Sequence, residues 1–225
     1  MTAHTCAPGL ADPEGYVRGN SVLQAPPLVP ELVLHLADAR APLWSKTQRD
    51  LHDDGIVLPY WAFAWAGGQA LARLILDEPA RVAGKRVLDF ASGSALAAIA
   101  AMKAGAASAL AADIDPLAAT AARLNAAAND VSLTTETGDL IGTDTSGFDL
   151  ILAGDICYEQ SVAEAVADWL AREAAAGREV LLGDPGRTFL PRGRLEPVIG
   201  YGVKSSRDLD DTDVRNARVW RFRPA

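Results

Sequence analysis

The chain has 225 residues, 49% of them hydrophobic and 22% charged, with a formal net charge of −8. That balance suits one compact domain and argues against binding to nucleic acid or to an anionic membrane surface. Only Cys6 and Cys157 are present and no apolar run is long enough to cross a bilayer, which argues against a disulfide framework and a membrane anchor.

Residues 1–28 are rich in Pro, Gly and small polar residues and read as a flexible N-terminal arm. The acids Asp12 and Glu14 disfavour a targeting peptide there, so a cytoplasmic protein is expected. Residues 29–225 read as a single domain, with 29–66 a cover over a core of 67–225. Leu32, Leu34 and Leu36 alternate with Val33 and His35 as in a half-buried strand, with a short amphipathic helix as the alternative. Trp44 anchors a polar stretch that turns at Asp53-Asp54-Gly55. Next come Tyr60, Trp61, Phe63 and Trp65, too many aromatics in one short run to be surface residues; they pack a core entrance or line a pocket. Residues 69–76 follow a helical period and stop before Pro79.

From there strands and helices alternate. Strand 86–90 leads to helix 95–103, ended by Gly105, and strand 108–113 to helix 116–128, with Pro116 at its favoured first position. Strand 131–135 ends in a loop at Gly138-Asp139. Strand 148–153 precedes helix 161–175, for which Ser161 is the expected cap and Glu164 its capping-box partner. Strand 179–182 ends in Gly183-Asp184-Pro185-Gly186. Residues 198–206 and 214–222 form two further strands joined by an acidic turn at 208–213. The expected fold is α/β: a doubly wound, mostly parallel seven-stranded sheet, Rossmann-like, closed by a C-terminal antiparallel hairpin. Arginines gathered in the C-terminal part form either a local basic face or a scatter on solvated strands.

The stretch 86–95 carries the first functional signal. An apolar strand ends at Asp89, turns through Ala91, Ser92 and Gly93, and opens a helix whose N–H groups point at a ligand. Asp113 lies twenty residues after Gly93, where an acid of this fold bonds ribose hydroxyls. The third glycine of a dinucleotide loop is absent, and Ala91 and Ala95 narrow the approach of a pyrophosphate. S-adenosyl-L-methionine (AdoMet) has no phosphate and fits a looser loop. Asp139 is placed to accept from an adenine amino group, with Leu140 packed on its face.

The sequence resembles the class I, seven-strand AdoMet-dependent methyltransferases. More narrowly, it is similar to the branch of protein lysine methyltransferases that includes the electron transfer flavoprotein β-subunit lysine methyltransferases. The resemblance runs from about Pro30 to the C-terminus. It is carried by Pro59-Tyr60-Trp61-Ala62-Phe63-Ala64-Trp65-Ala66-Gly67-Gly68-Gln69-Ala70-Leu71, Val87-Leu88-Asp89 and Asp113-Ile114-Asp115-Pro116. Gly154-Asp155-Ile156-Cys157-Tyr158 and Gly183-Asp184-Pro185-Gly186-Arg187 complete it. The resemblance implies that Trp65 walls the AdoMet pocket, that Asp89, Ala91, Ser92 and Gly93 form its loop, and that Asp113 and Ile114 hold the ribose end. It further implies that Leu140 sits by the adenine and that Gly154 abuts the cofactor. The family usually has glycine where Ala91 and Ala95 stand.

Asp155 and Tyr158 of the D-x-x-Y motif are the candidate catalytic residues. A lysine acceptor must be neutral, and deprotonating one of pKa about 10.4 at pH 7 costs about 4.6 kcal/mol. A carboxylate raises a neighbouring amine's pKa, so Asp155 is assigned to recruiting and orienting the ammonium. Tyr158 lines the channel and hydrogen-bonds the amine. Trp61, Asp184 and Arg187 are candidate substrate contacts. His4, His35 and His52 lack zinc spacing and read as solvated or edge residues, so no metal site is expected; Cys157 reads as packing. The expected acceptor is a lysine of a protein, electron transfer flavoprotein β-subunit first, acted on by a monomeric enzyme. A ribosomal protein, a small amine such as nicotinamide, and a non-catalytic binding module remain as alternatives.

Overall fold

The computed structural model describes residues 10–37, 59–204 and 214–224. The readings made for His4, Cys6, Trp44, His52, the 53–55 turn and the 208–213 turn lie outside the described residues. The described elements run α1 (Pro13–Gly19), β1 (Val22–Gln24), β2 (Leu34–Leu36), α2 (Ala66–Asp77), β3 (Arg86–Phe90), α3 (Leu96–Lys103), β4 (Ser108–Asp113) and α4 (Pro116–Ala128). They continue with β5 (Thr134–Thr137), β6 (Leu150–Gly154), α5 (Gln160–Ala175), β7 (Glu179–Asp184), β8 (Leu195–Lys204) and β9 (Val214–Phe222). None of these helices is long and apolar enough to cross a membrane.

Seven strands form one sheet in the order β5-β4-β3-β6-β7-β9-β8. The first five are parallel, and β9 joins β7 antiparallel. Alternation along the strands sends side chains to two cores. Val87, Leu150, Leu152, Leu181 and Val219 pack with α2, α3 and α4 residues on one face. Leu88, Ile151, Leu182, Trp220 and Phe222 pack with the α5 residues Val166, Trp169 and Leu170 on the other. Nearly all residues of α3 are buried alanine, leucine or isoleucine, which lets this helix lie close to its neighbours.

The N-terminal segment departs from the expected flexible arm. Asp12 caps α1 by accepting the Gly15 amide, Val17 is fully buried, and β1 pairs with β2. Apolar contact decides this: Val17 joins Trp61, Ala118, Ala121 and Leu124 in a small third core. His35 is likewise not a solvated histidine. It is buried beside Ser21, burial lowers its pKa, and its amide donates to Asn125 Oδ1 at 2.7 Å. The β2 strand is shorter than the 32–36 alternation suggested.

Two helix starts also differ. Helix α5 begins at Gln160, one residue before Ser161, and Ser161 Oγ donates to the Glu159 carboxylate instead of capping. Helix α2 begins at Ala66, ahead of the predicted 69–76, so Gly67 and Gly68 lie in its first turn.

Candidate active site

Three residues of the β3–α3 loop, Ala91, Gly93 and Ala95, have φ of 53°, 50° and 60°. Left-handed backbone suits glycine and costs an alanine about 1 kcal/mol or more. The loop stays in this form because it is tied on both sides. The Ser92 amide donates to the Ala112 carbonyl at 3.0 Å, and the Gly93 amide donates to Asp113 Oδ2 at 2.9 Å. Ala95 occupies the N-cap of α3 with no side-chain acceptor, and the missing cap comes from Asp89, whose Oδ2 accepts the Ala98 amide at 2.9 Å. Asp89 is buried, and burial pushes its carboxyl up to about 7.

Asp113 Oδ1 also accepts the Asp115 amide at 3.0 Å. A carboxylate has about four acceptor sites; the Ile114 amide also acts on this one, and at least one site stays open. Ile114, the next residue, is 60% exposed, an apolar side chain left uncovered beside a carboxylate. An open acceptor next to an uncovered apolar surface fits a nucleoside, with a hydroxyl for the acid and a ring for the isoleucine. Leu140 is buried against Phe90, Ala112 and Ile151, while Asp139 turns back to accept the Ile141 amide at 2.9 Å.

The start of α2 forms the neighbouring wall. A Cβ on Gly67 would stand 2.2 Å from the Gly183 carbonyl oxygen, and one on Gly183 would stand 2.1 Å from the Gly67 carbonyl oxygen. Gly154, the expected cofactor neighbour, ends β6 beside this wall. A Cβ there would meet Gly68 Cα at 3.1 Å, so this glycine lets the helix backbone approach β6. Trp65, at the N-cap of α2, supplies no side-chain acceptor to the helix. Asp155 does so: its Oδ2 accepts the Gly68 amide at 2.8 Å. Asp89 and Asp155 thus play one part twice, each closing the third turn position of a helix that has no acceptor at its own N-cap.

Asp155 itself has φ of 60° and is buried, with Oδ1 accepting from Arg187 Nη1 at 2.5 Å. Burial raises its carboxyl above the ordinary range, opposed by the Arg187 guanidinium and the Gly68 amide. Arg187 Nη1 also lies 3.4 Å from Asp184 Oδ2. Asp184 is fully buried, and its Oδ1 accepts the Gly186 and Arg187 amides at 2.6 and 2.7 Å. Asp184 and Arg187 therefore do not face a substrate as expected: the turn consumes the first and the two aspartates hold the second. Cys157 beside them is a buried thiol, pushed up to about 12 by burial and then by Asp184, which keeps it protonated at neutral pH.

Above this network stands an aromatic group. Tyr60 and Tyr158 stack with centroids 5.6 Å apart, Trp65 lies 6.0 Å from Tyr60, and Phe63 lies 5.4 Å from Trp65. Trp65 Nε1 donates to the Tyr60 carbonyl at 3.0 Å. Tyr158 is 50% and Tyr60 37% exposed, and burial raises both phenols above their ordinary value. Trp61, a candidate substrate contact, is fully buried in the third core, with no surface left for a substrate to touch. Tyr60 was missed at residue level; its place in the aromatic run was the only signal. The Tyr60-Trp61 backbone also covers Gly93, whose Cβ would lie 3.6 Å from the Tyr60 carbonyl oxygen.

The family model for ribosomal protein L11 methyltransferase (PrmA) matches residues 70–172. The chain is 37% identical over 229 residues to the electron transfer flavoprotein beta subunit lysine methyltransferase of Xenopus laevis, covering 99% of this chain and 89% of that one. With the Homo sapiens protein of the same name it shares 35% over 224 residues, covering 95% and 84%. Among solved structures, magnesium protoporphyrin IX methyltransferase (ChlM) from Synechocystis PCC 6803 with bound SAH shares the fold. Its TM-score is 0.50 at 16% identity, covering 69% of this chain and 83% of that one.

Proposed function

The chain belongs to the family of electron transfer flavoprotein β-subunit lysine methyltransferases, and from that premise we propose that it methylates a lysine side chain of the electron transfer flavoprotein β-subunit. It is a methyltransferase, and AdoMet is its cofactor. One observation carries the choice of acceptor. The ribosomal-methyltransferase family model matches residues 70–172, and a ribosomal protein L11 methyltransferase of Exiguobacterium aligns over 57% of the chain at 30% identity, whereas the similarity to the flavoprotein-directed enzymes covers 99% of the chain at 37% identity. Residues 59–69 and 183–187, which contribute Tyr60, Phe63 and Trp65 to the aromatic group and Asp184 and Arg187 to the network, lie outside the family-model match and within the flavoprotein-enzyme similarity.

When bound, AdoMet supplies a methyl group already activated on a sulfonium, so the protein's work is alignment and electrostatics. Asp113 takes a ribose hydroxyl on its open acceptor site, and Ile114 and Leu140 flank the adenine. The backbone of Ala91, Ser92 and Gly93 takes the amino-acid end, and Trp65 closes the wall above it. The exposed faces of Tyr60 and Tyr158 receive the lysine, since aromatic faces attract an ammonium. Tyr158, its phenol raised by burial, stays protonated at neutral pH and orients the amine without acting as its base. Desolvation lowers the ammonium's pKa, and it gives its proton to solvent water as it enters, leaving the neutral amine for transfer. Asp155, neutralised by Arg187, does not hold the amine charged; it is a positioning residue for α2 and the wall carrying Trp65. The reading includes a monomer in a reducing, cytoplasmic setting, supported by two widely separated cysteines.

The test is incubation with purified electron transfer flavoprotein and methyl-labelled AdoMet. Label on β-subunit lysines supports the reading. Label confined to a ribosomal protein or to small molecules overturns it.

A further inference from the structure

The outer hairpin carries a groove of about 370 Å³ at the same sheet end as the site. Its origin is in the register. Gly200 stands opposite Arg218 and Gly202 opposite Asn216, so on the β8 side these two β9 side chains meet only hydrogen. The result is a trough with Arg218, Asn216 and Trp220 along one side and Arg192 at its end. A Cβ on Gly200 would lie 3.8 Å from Arg218 Nε, so any larger residue would fill the space.

The charge of this trough is unusual for a chain of net −8. Neighbouring arginines are paired: Arg194 with Asp168, Arg223 with Glu196, and Arg187 with Asp155 and Asp184. Arg192 and Arg218 make no ion pair among the described residues. Their guanidinium carbons lie 5.8 and 5.2 Å from the Trp220 ring centroid, which holds both heads over one indole. Trp220 is 8% exposed, and its indole N–H has no acceptor. Asp184, the nearest acid in the lining, is fully buried and spent on its own turn and Arg187. Its strand position pairs with Arg218, which ties the trough to the Asp155 network.

We propose that this groove docks an acidic segment of the protein acceptor, whose carboxylates pair with Arg192 and Arg218. The proposal rests on the reading that the acceptor is a protein, and it names the chemistry that acceptor presents beside its target lysine. A polyanionic nucleic acid is disfavoured by the net charge of the chain.

The test uses the full chain and a fluorescein-labelled hexaglutamate peptide as probe, read by anisotropy, with AdoMet calorimetry reporting that each variant is folded. Arg192→Glu with Arg218→Glu is expected to weaken probe binding by at least about tenfold, and Gly200→Leu, which leaves the charge alone, by about fivefold. Raising salt from about 50 to about 300 mM should weaken the parent's binding as well. The KM for electron transfer flavoprotein should rise in the same variants. Equal probe binding by parent and variants overturns the proposal, as does tighter binding of a single-stranded RNA of equal charge. So does a gain of about tenfold or more when Asp208, Asp210, Asp211 and Asp213 are changed to Asn, because the chain's own acids would then be the occupant. A groove that binds the probe in an enzyme that leaves the flavoprotein unmethylated refutes only the acceptor reading. Methylation with a KM indifferent to all these substitutions refutes only the groove.

Discussion

Asp155 Oδ2 accepts the amide hydrogen of Gly68 at 2.8 Å, across a sequence separation of 87 residues. With Arg187 on its other oxygen, the carboxylate joins the start of α2 to the turn after β7. A motif aspartate that looked like a hook for substrate is thereby a clamp between elements.

Removing the clamp has a defined signature. Asp155→Ala leaves the Arg187 cation with only the longer contact to Asp184 and the Gly68 amide without its acceptor, and should cost about 2–4 kcal/mol in urea unfolding. Asp155→Asn keeps an oxygen for the Gly68 amide and should cost less. Asp155→Ala combined with Arg187→Leu should be more stable than Asp155→Ala alone, a coupling that a double-mutant cycle reads directly. Additive losses would mean that the pair is not coupled.

The four glycines at the α2–sheet contact are unequal. Gly67→Ala and Gly183→Ala each drive a methyl to within 2.2 Å of a backbone carbonyl oxygen, or closer, and neither backbone has a flexible end to withdraw. Each should destabilise by about 3 kcal/mol or more. Gly68→Ala meets nothing within 4 Å and should stabilise α2 by up to about 1 kcal/mol. Thermal melts of the three variants separate these outcomes.

Ala91 is exposed and left-handed, so its methyl group adds strain without packing. Ala91→Gly relieves about 1 kcal/mol of strain against a similar gain in unfolded-state entropy, and stability should stay within about 0.5 kcal/mol of the parent. Ala98→Gly, inside α3, should cost about 1 kcal/mol or more in the same urea titration.

Asp89 gives the protein a pH dependence of its own. Its folded carboxyl titrates at about 7, raised from 3.8 by burial. Because the folded chain binds this proton more tightly, the contribution to stability is full below about pH 4 and is lost as pH rises through about 7. Asp89→Asn carries no charge and keeps an oxygen for the Ala98 amide. Its stability relative to the parent should therefore improve by about 2.5 kcal/mol between pH 5 and pH 8. A difference that stays flat over this range would show that Asp89 is ionised throughout.

Tyr158→Phe keeps the stack on Tyr60 and removes the hydroxyl. If the phenol orients the amine, methyl transfer should fall about tenfold or more with AdoMet affinity unchanged by calorimetry. Loss of AdoMet binding in step with activity would move Tyr158 to the cofactor side.

The sequence by itself determined the sheet, the strand–loop–helix of 86–103, the acid at Asp113 and the closing hairpin. Each is written in local periodicity or in a short spacing, and local backbone preference is enough to express it. Tertiary structure decided what the polar residues at the strand ends do. Asp89 and Asp155 serve amides of helices that lack their own caps, Asp184 is consumed by its turn, and Trp61 is drawn into a core that includes the supposedly loose N-terminal segment. A buried carboxylate takes whichever donors the fold brings within about 3 Å, since leaving it unpaired costs more than any one contact returns. Sequence spacing cannot name those donors when 87 residues separate them, as they do Gly68 and Asp155.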